Sequence, residues 1–206
     1  SGLGSWLLTP LAIRLAHAWG ALDIPTSRKI HAHPMPRLGG IAVFCGFILP
    51  WGGLYLLHNP VSGVFQNYER LFLALVLGAA TMLLLGIYDD IKGANAAKKF
   101  LVQAAAALAL WFAGFRIESL SNPWGDPILL PAPVSLAISV LWMVGVTNAI
   151  NLLDGIDGLV AGVTAVIAIC LAMINAIGGN IILTLLTLCL AGACLGFLPH
   201  NYSPAR

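Results

Sequence analysis

Leu71-Phe72-Leu73-Ala74-Leu75-Val76-Leu77-Gly78-Ala79-Ala80-Thr81-Met82-Leu83-Leu84-Leu85-Gly86-Ile87-Tyr88 carries no charge and runs straight into Asp89-Asp90. A helix that crosses a bilayer needs ~20 predominantly apolar residues. This stretch therefore reads as a membrane helix whose end carries two carboxylates. Six more apolar runs repeat the theme: Leu3–Trp19, Leu38–Leu57, Phe100–Phe115, Val134–Ile150, Leu159–Ile177 and Ile181–Leu198. Of the 206 residues, 59% are hydrophobic and 9% charged, whereas soluble domains carry roughly 25% charged residues. One water-soluble core cannot hide so much apolar surface, so the expected solvent is lipid. The expected fold is all-α, a polytopic transmembrane bundle of about seven helices, with residues 1–206 forming a single integral-membrane domain. Pro10 shortens or kinks the first helix, and Gly178-Gly179-Asn180 turns the chain between the last two.

Other classes fall away on composition. A net charge of +2, with no basic run interleaved with aromatics, gives no nucleic-acid footprint. Cys45, Cys170, Cys189 and Cys194 all sit within apolar runs, without a CxxC pair or a nearby His. They read as small packing residues rather than disulfides or metal ligands. The chain opens on Ser1-Gly2 rather than Met and stops at Arg206, so it is expected to be a piece of a longer protein.

The connections differ in charge. The first, third and fifth, with the C-terminal tail, carry Arg28, Lys29, Arg37, Lys92, Lys98, Lys99 and Arg206. The second, fourth and sixth carry only Arg70 and Arg116. The excess of Lys and Arg places the first group in the cytoplasm. Asp89, Asp90, Asp154 and Asp157 fall on the same side, although they took no part in the assignment. Ionisable residues gathered on one face of a membrane protein point to a site there.

Three constellations lie on that face. In the first connection, Asp23 to Gly40, three prolines stiffen the chain; Arg28, Lys29 and Arg37 can clamp phosphate oxygens or hold anionic headgroups. His31 and His33 are either ligands or solvated loop residues. In the third, Asp89-Asp90 is followed by Lys98-Lys99-Phe100 and Gln103. Adjacent carboxylates stay ionised only beside a cation or hydrogen-bond donors, and a helix C-terminus repels them. A hard divalent metal holding a diphosphate meets that need; a water-facing helix end is the plainer reading. In the fifth, Asn148, Asn151, Asp154 and Asp157 recur every third residue, with Gly155 and Gly158 between and after the acids. While the chain stays helical this spacing keeps neighbours on one face. Four oxygen donors among apolar helices suit Mg²⁺, with Mn²⁺ as the alternative ion.

Three motifs in order give a resemblance: Asp23-x-Pro25-x-x-Arg28-Lys29-x-His31-x-x-Pro34-x-Pro36-Arg37-x-Gly39-Gly40; Asp89-Asp90 with Lys99-Phe100-x-x-Gln103; and Asn148-x-x-Asn151-x-x-Asp154-Gly155-x-Asp157-Gly158-Leu159. They resemble the polyprenyl-phosphate N-acetylhexosamine-1-phosphate transferases. The first motif is similar to the branch that uses UDP-N-acetylglucosamine. Asn201-Tyr202-Ser203-Pro204-Ala205 looks like the start of a fourth motif; in the family an acidic continuation and a later His motif follow it, and the sequence ends at Arg206 before either. The expected domain therefore lacks the family's C-terminal helices.

The resemblance implies transfer of a sugar-1-phosphate from a UDP-sugar to undecaprenyl phosphate at the cytoplasmic face of the inner or plasma membrane. UMP leaves, and cell-envelope polysaccharide synthesis, such as O-antigen or teichoic acid, begins. It implies Asp90, Asp154 and Asp157 as ligands or near neighbours of Mg²⁺. Asp89 would position the lipid phosphate or accept its proton. Asn148, Asn151, Lys99, Arg28, Lys29, His31, Arg37 and Asn201 would contact the substrates. A homodimer is plausible on the same basis. The rivals fit less well. A prenyltransferase wants an acid where Gly93 stands, and a CDP-alcohol phosphotransferase wants Ala-Arg near Leu159-Val160. A divalent-cation transporter wants its acids near the bilayer midplane.

Overall fold

The computed structural model describes residues 1–23, 35–56 and 60–202. Among the described residues the chain forms eight helices: α1 (Gly2–Trp19), α2 (Gly39–Leu56), α3 (Pro60–Gln66), α4 (Glu69–Lys92), α5 (Ala96–Ala113), α6 (Ala132–Leu153), α7 (Leu159–Ile177) and α8 (Ile181–Asn201). Two short antiparallel ladders complete it: β1 (Leu22–Asp23) with β2 (Met35–Pro36), and β3 (Ser119–Leu120) with β4 (Ile128–Leu129). The fold is all-helical, as the apolar runs require. All seven expected segments are helices, and α3 is an addition the apolar pattern does not mark.

Among the described residues, five helices, α4 to α8, are long and apolar enough to cross a membrane, in keeping with the expected polytopic helix bundle. The first run is diluted by Ser5, Thr9, Pro10, Arg14 and His17. The second offers a shorter apolar stretch, Gly39–Leu54. Five spans make this a multi-pass membrane protein.

The chain divides into two compact units. One comprises Ser1–Gln66, Gly86–Gly93 and Leu153–Arg206; the other comprises Asn67–Leu85 and Ala94–Leu152.

In the first unit α1 packs on α2 and α8, α2 on α8, and α8 on α7. Lipid tails are as apolar as Leu, so burying large side chains gains little here; close approach and hydrogen bonds hold the helices together. Most of the buried positions are accordingly small, with Trp51 and Phe65 the main large exceptions. Ala161, Ala165, Ala168 and Ala172 form a stripe along α7, and Thr187, Ala191 and Cys194 are buried on α8. Ser5 is 0% exposed and gives its hydroxyl proton to the Ala42 carbonyl at 2.9 Å. Gly46 faces Ser5 so closely that a Cβ there would lie 2.5 Å from Ser5 Oγ. Many large residues point outward, as with Ile174 and Ile177 on α7. All four cysteines are free thiols; Cys194 is buried, Cys45 and Cys189 are half-buried and Cys170 is exposed.

In the second unit α5 and α6 run antiparallel. Trp111 Nε1 donates to Ser135 Oγ at 3.3 Å, and Ile117 N donates to Ser139 Oγ at 2.9 Å. Gly78 of α4 lets the side chain of Leu110 in α5 come close. An apolar groove of about 550 Å³ runs along α5 and α6, lined by Phe100, Leu101, Leu108, Leu136, Val140 and Leu141 among others.

Candidate functional site

Asp89 and Asp90 lie on the last turn of α4, which extends past the uncharged run to Lys92 and stops at Gly93, φ 71°. Lys92 supplies the cation that a helix C-terminus favours. Ile87, a few residues earlier, packs against the buried cluster of Ala16, Ala21 and Leu38. That contact fixes the acidic end of α4 within the first unit. Leu22 pairs with Pro36 and Asp23 with Met35, and Arg37 N donates to the Ala21 carbonyl at 3.1 Å. The ladder closes the base of the first connection and brings Arg37 to the acidic pair. Its Nη1 stands 3.8 Å from Asp90 Oδ1, with the side chains 39% and 27% exposed. At that distance the contact is an ion pair rather than a hydrogen bond, and solvent screens much of it.

Asp154 and Asp157 occupy the turn between α6 and α7. The third-residue spacing is helical only through Leu153, so Asn148 and Asn151 share a helix and the two aspartates do not. Gly158 closes the turn at φ 73°, ψ −10°. That left-handed conformation suits glycine. Its N–H donates to Asn201 Oδ1 at 3.0 Å, so the end of α8 caps the start of α7. Asn201 therefore holds the acidic turn through its side-chain carbonyl. Arg37 with Asp90, and Gly158 with Asn201, are thus contacts within one compact unit.

The second unit carries Lys99 on α5 and Asn148 and Asn151 on α6. Asn148 Nδ2 donates to Gln103 Oε1 at 2.7 Å and to the Val144 carbonyl at 2.8 Å. Sequence reasoning noted Gln103 in a motif but gave it no role. Its i+4 spacing from Lys99, with a polar amide placed inside an apolar helix, was the available signal. Arg28, Lys29 and His31 lie outside the described residues.

The donor chemistry of Asp90, Asp154 and Asp157 suits a hard divalent cation, all oxygen and anionic. Among the described residues no group of three or more His, Cys, Asp and Glu stands close enough to form a metal nest.

Comparison with known proteins supplies the last evidence. The chain is similar to a protein of Bacillus subtilis (strain 168) described as a probable undecaprenyl-phosphate N-acetylglucosaminyl 1-phosphate transferase. The two are 35% identical over 200 residues, covering 97% of this chain and 53% of that protein. A decaprenyl-phosphate N-acetylglucosaminephosphotransferase of Mycobacterium tuberculosis (strain CDC 1551 / Oshkosh) is 33% identical over 204 residues, 93% of this chain and 50% of its own length. A phospho-N-acetylmuramoyl-pentapeptide-transferase of a Synechococcus species is 32% identical over 225 residues, 100% of this chain and 61% of its own length. The chain spans about half the length of the first two. The profile of Glycosyl transferase family 4 matches residues 72–206, including the end of α4, the α6–α7 turn and the end of α8. The chain belongs to Glycosyl transferase family 4.

Proposed function

We propose that the protein transfers N-acetylglucosamine 1-phosphate from its UDP derivative to undecaprenyl phosphate at the cytoplasmic face of the membrane. The observation that carries this reading is the grouping in one unit of Arg37, the Asp89-Asp90 helix end, the Asp154–Gly158 turn and Asn201. These come from connections one, three and five and from the tail, the four segments that the charge rule assigns to one side. A polyphosphate needs both cations and metal-binding carboxylates near it, and this grouping offers both.

A lipid phosphate oxygen attacks the phosphorus that bears the sugar. One P–O bond forms, the bond to the bridging oxygen breaks, and UMP departs with the electron pair. A phosphate monoester has a second pKa of ~6, so much of the acceptor is already dianionic at neutral pH. Asp89 then serves chiefly to position that phosphate. Arg37 shifts from Asp90 to phosphate oxygens when substrate arrives, since a guanidinium binds phosphate through paired donors. Asp90, Asp154 and Asp157 would hold Mg²⁺, which supplies charge stabilisation to the diphosphate. The product would open synthesis of a cell-envelope polysaccharide such as O-antigen or teichoic acid.

The test is UMP release by the full-length protein in liposomes containing undecaprenyl phosphate, with UDP-N-acetylglucosamine and Mg²⁺. UMP and a lipid-linked diphosphosugar should form together. Absence of both, with divalent-cation flux across the same liposomes, would replace this reading by that of a transporter.

A further inference from the structure

Asn148 is assigned from its motif as a substrate contact, yet its hydrogen bonds leave it little to offer a phosphate. A side-chain amide nitrogen has two protons. Asn148 gives one to Gln103 Oε1 at 2.7 Å and the other to the Val144 carbonyl at 2.8 Å. Gln103 Nε2 returns a longer contact to Asn148 Oδ1 at 3.5 Å. Gln103 is 7% exposed, so a broken pair leaves a buried amide unsatisfied, at a cost in stability. Phosphate oxygens accept hydrogen bonds and cannot use the remaining acceptor capacity of Asn148.

The placement of the pair gives it a purpose. Lys99 precedes Gln103 by four residues on α5, and Asn151 follows Asn148 by three on α6. Each couple lies on one helix face. Because α5 and α6 run antiparallel, Lys99 and Asn151 both lie one helical turn beyond the amide pair, toward the same end. Ser139, on the same helix as Asn148 but bound to Ile117 N at 2.9 Å, serves the opposite end.

We infer that Gln103 is a positioning residue for the transfer reaction. It locks Asn148 as an anchor between α5 and α6 and so sets the spacing of Lys99 and Asn151, which touch the substrate in its place. The inference rests on the function proposed above.

A double-mutant cycle in the full-length protein tests it. Gln103→Leu and Asn148→Leu should each lower kcat for UMP release at least tenfold, and the double variant should match the weaker single within threefold. The exchange of the two amides, Gln103→Asn with Asn148→Gln, keeps the combined side-chain length and should recover most of the loss. Ser139→Ala should lower the melting temperature and leave kcat within twofold. Three outcomes would overturn the inference: additive losses, full activity in Gln103→Leu with loss only at Asn148, or activity that tracks melting temperature across all three sites. If the wild type releases no UMP, the transfer reading fails by itself. The pair is then judged by disulfide formation between Lys99→Cys and Asn151→Cys, which Gln103→Leu should slow at least fivefold. An unchanged rate would refute the pair's role.

Discussion

At Gly158 the backbone decides where the acidic turn goes. Its φ of 73° is a conformation that an L side chain enters at a cost of about 1–2 kcal/mol. A Cβ there would find Leu198 Cδ1 at 3.4 Å and Asn201 O at 3.5 Å, which are ordinary contacts. Gly158→Ala should therefore lose stability through strain rather than clash, by about 1–2 kcal/mol, and Gly158→Asn should lose less. Thermal unfolding in detergent checks this, and equal melting of the Ala variant and the wild type would contradict it. The aspartates answer a different question. Asp→Asn keeps the shape of the side chain and removes its charge. Asp90→Asn, Asp154→Asn and Asp157→Asn should each stay folded and lower transfer by about 10²-fold or more, the scale of a lost charge at an electrostatic site. Near-normal turnover of UDP-N-acetylglucosamine at saturating Mg²⁺ by the Asp154 and Asp157 variants would remove them from the metal site.

At the scale of elements, the first unit is held by small residues. Ser5, Gly46 and Ala42 let α1 and α2 meet backbone to backbone, and Gly196 of α8 likewise meets the backbone of Gly2. Gly46→Ala should destabilise the unit by about 1–3 kcal/mol, the usual range for overpacking. A second change, Ser5→Gly, should not restore it, because a Cβ at position 46 would also lie 2.8 Å from the backbone nitrogen of Ser5. Rescue by Ser5→Gly would show that only the Ser5 side chain stands in the way.

For the whole molecule, the orientation proposed from charge has a direct consequence. Single cysteines introduced at Ser27 and Gly93 in intact cells should resist a membrane-impermeant thiol reagent, while one at Asn59 should react. The four native cysteines lie in helices and should first be replaced by Ala or Ser to clear the background. The reverse labelling pattern would put the acidic residues on the outer face, away from cytoplasmic UDP-sugars, and the proposed reaction would have no donor.

Hydropathy determined most of this protein by itself. An uncharged run such as Leu71–Tyr88 must form a helix in lipid, because no other single segment satisfies its own backbone there. The acidic pair, the Asn148–Asp157 spacing and the basic connections are equally legible, since charge placed in an apolar chain stands out. Helix ends were less so. The uncharged run stops at Tyr88, yet α4 continues to Lys92 and carries both aspartates on its last turn. In the first helix the polar residues Ser5 and Thr9 are buried and hydrogen-bonded to backbone carbonyls, a role the hydropathy pattern does not reveal. Tertiary structure alone decided the partners. That Arg37 meets Asp90, that Asn201 caps the Asp157–Gly158 turn, and that Gln103 uses up the protons of Asn148 depend on contacts between residues more than 40 positions apart. Local periodicity holds no record of such contacts, because they form only when small buried faces bring distant helices together.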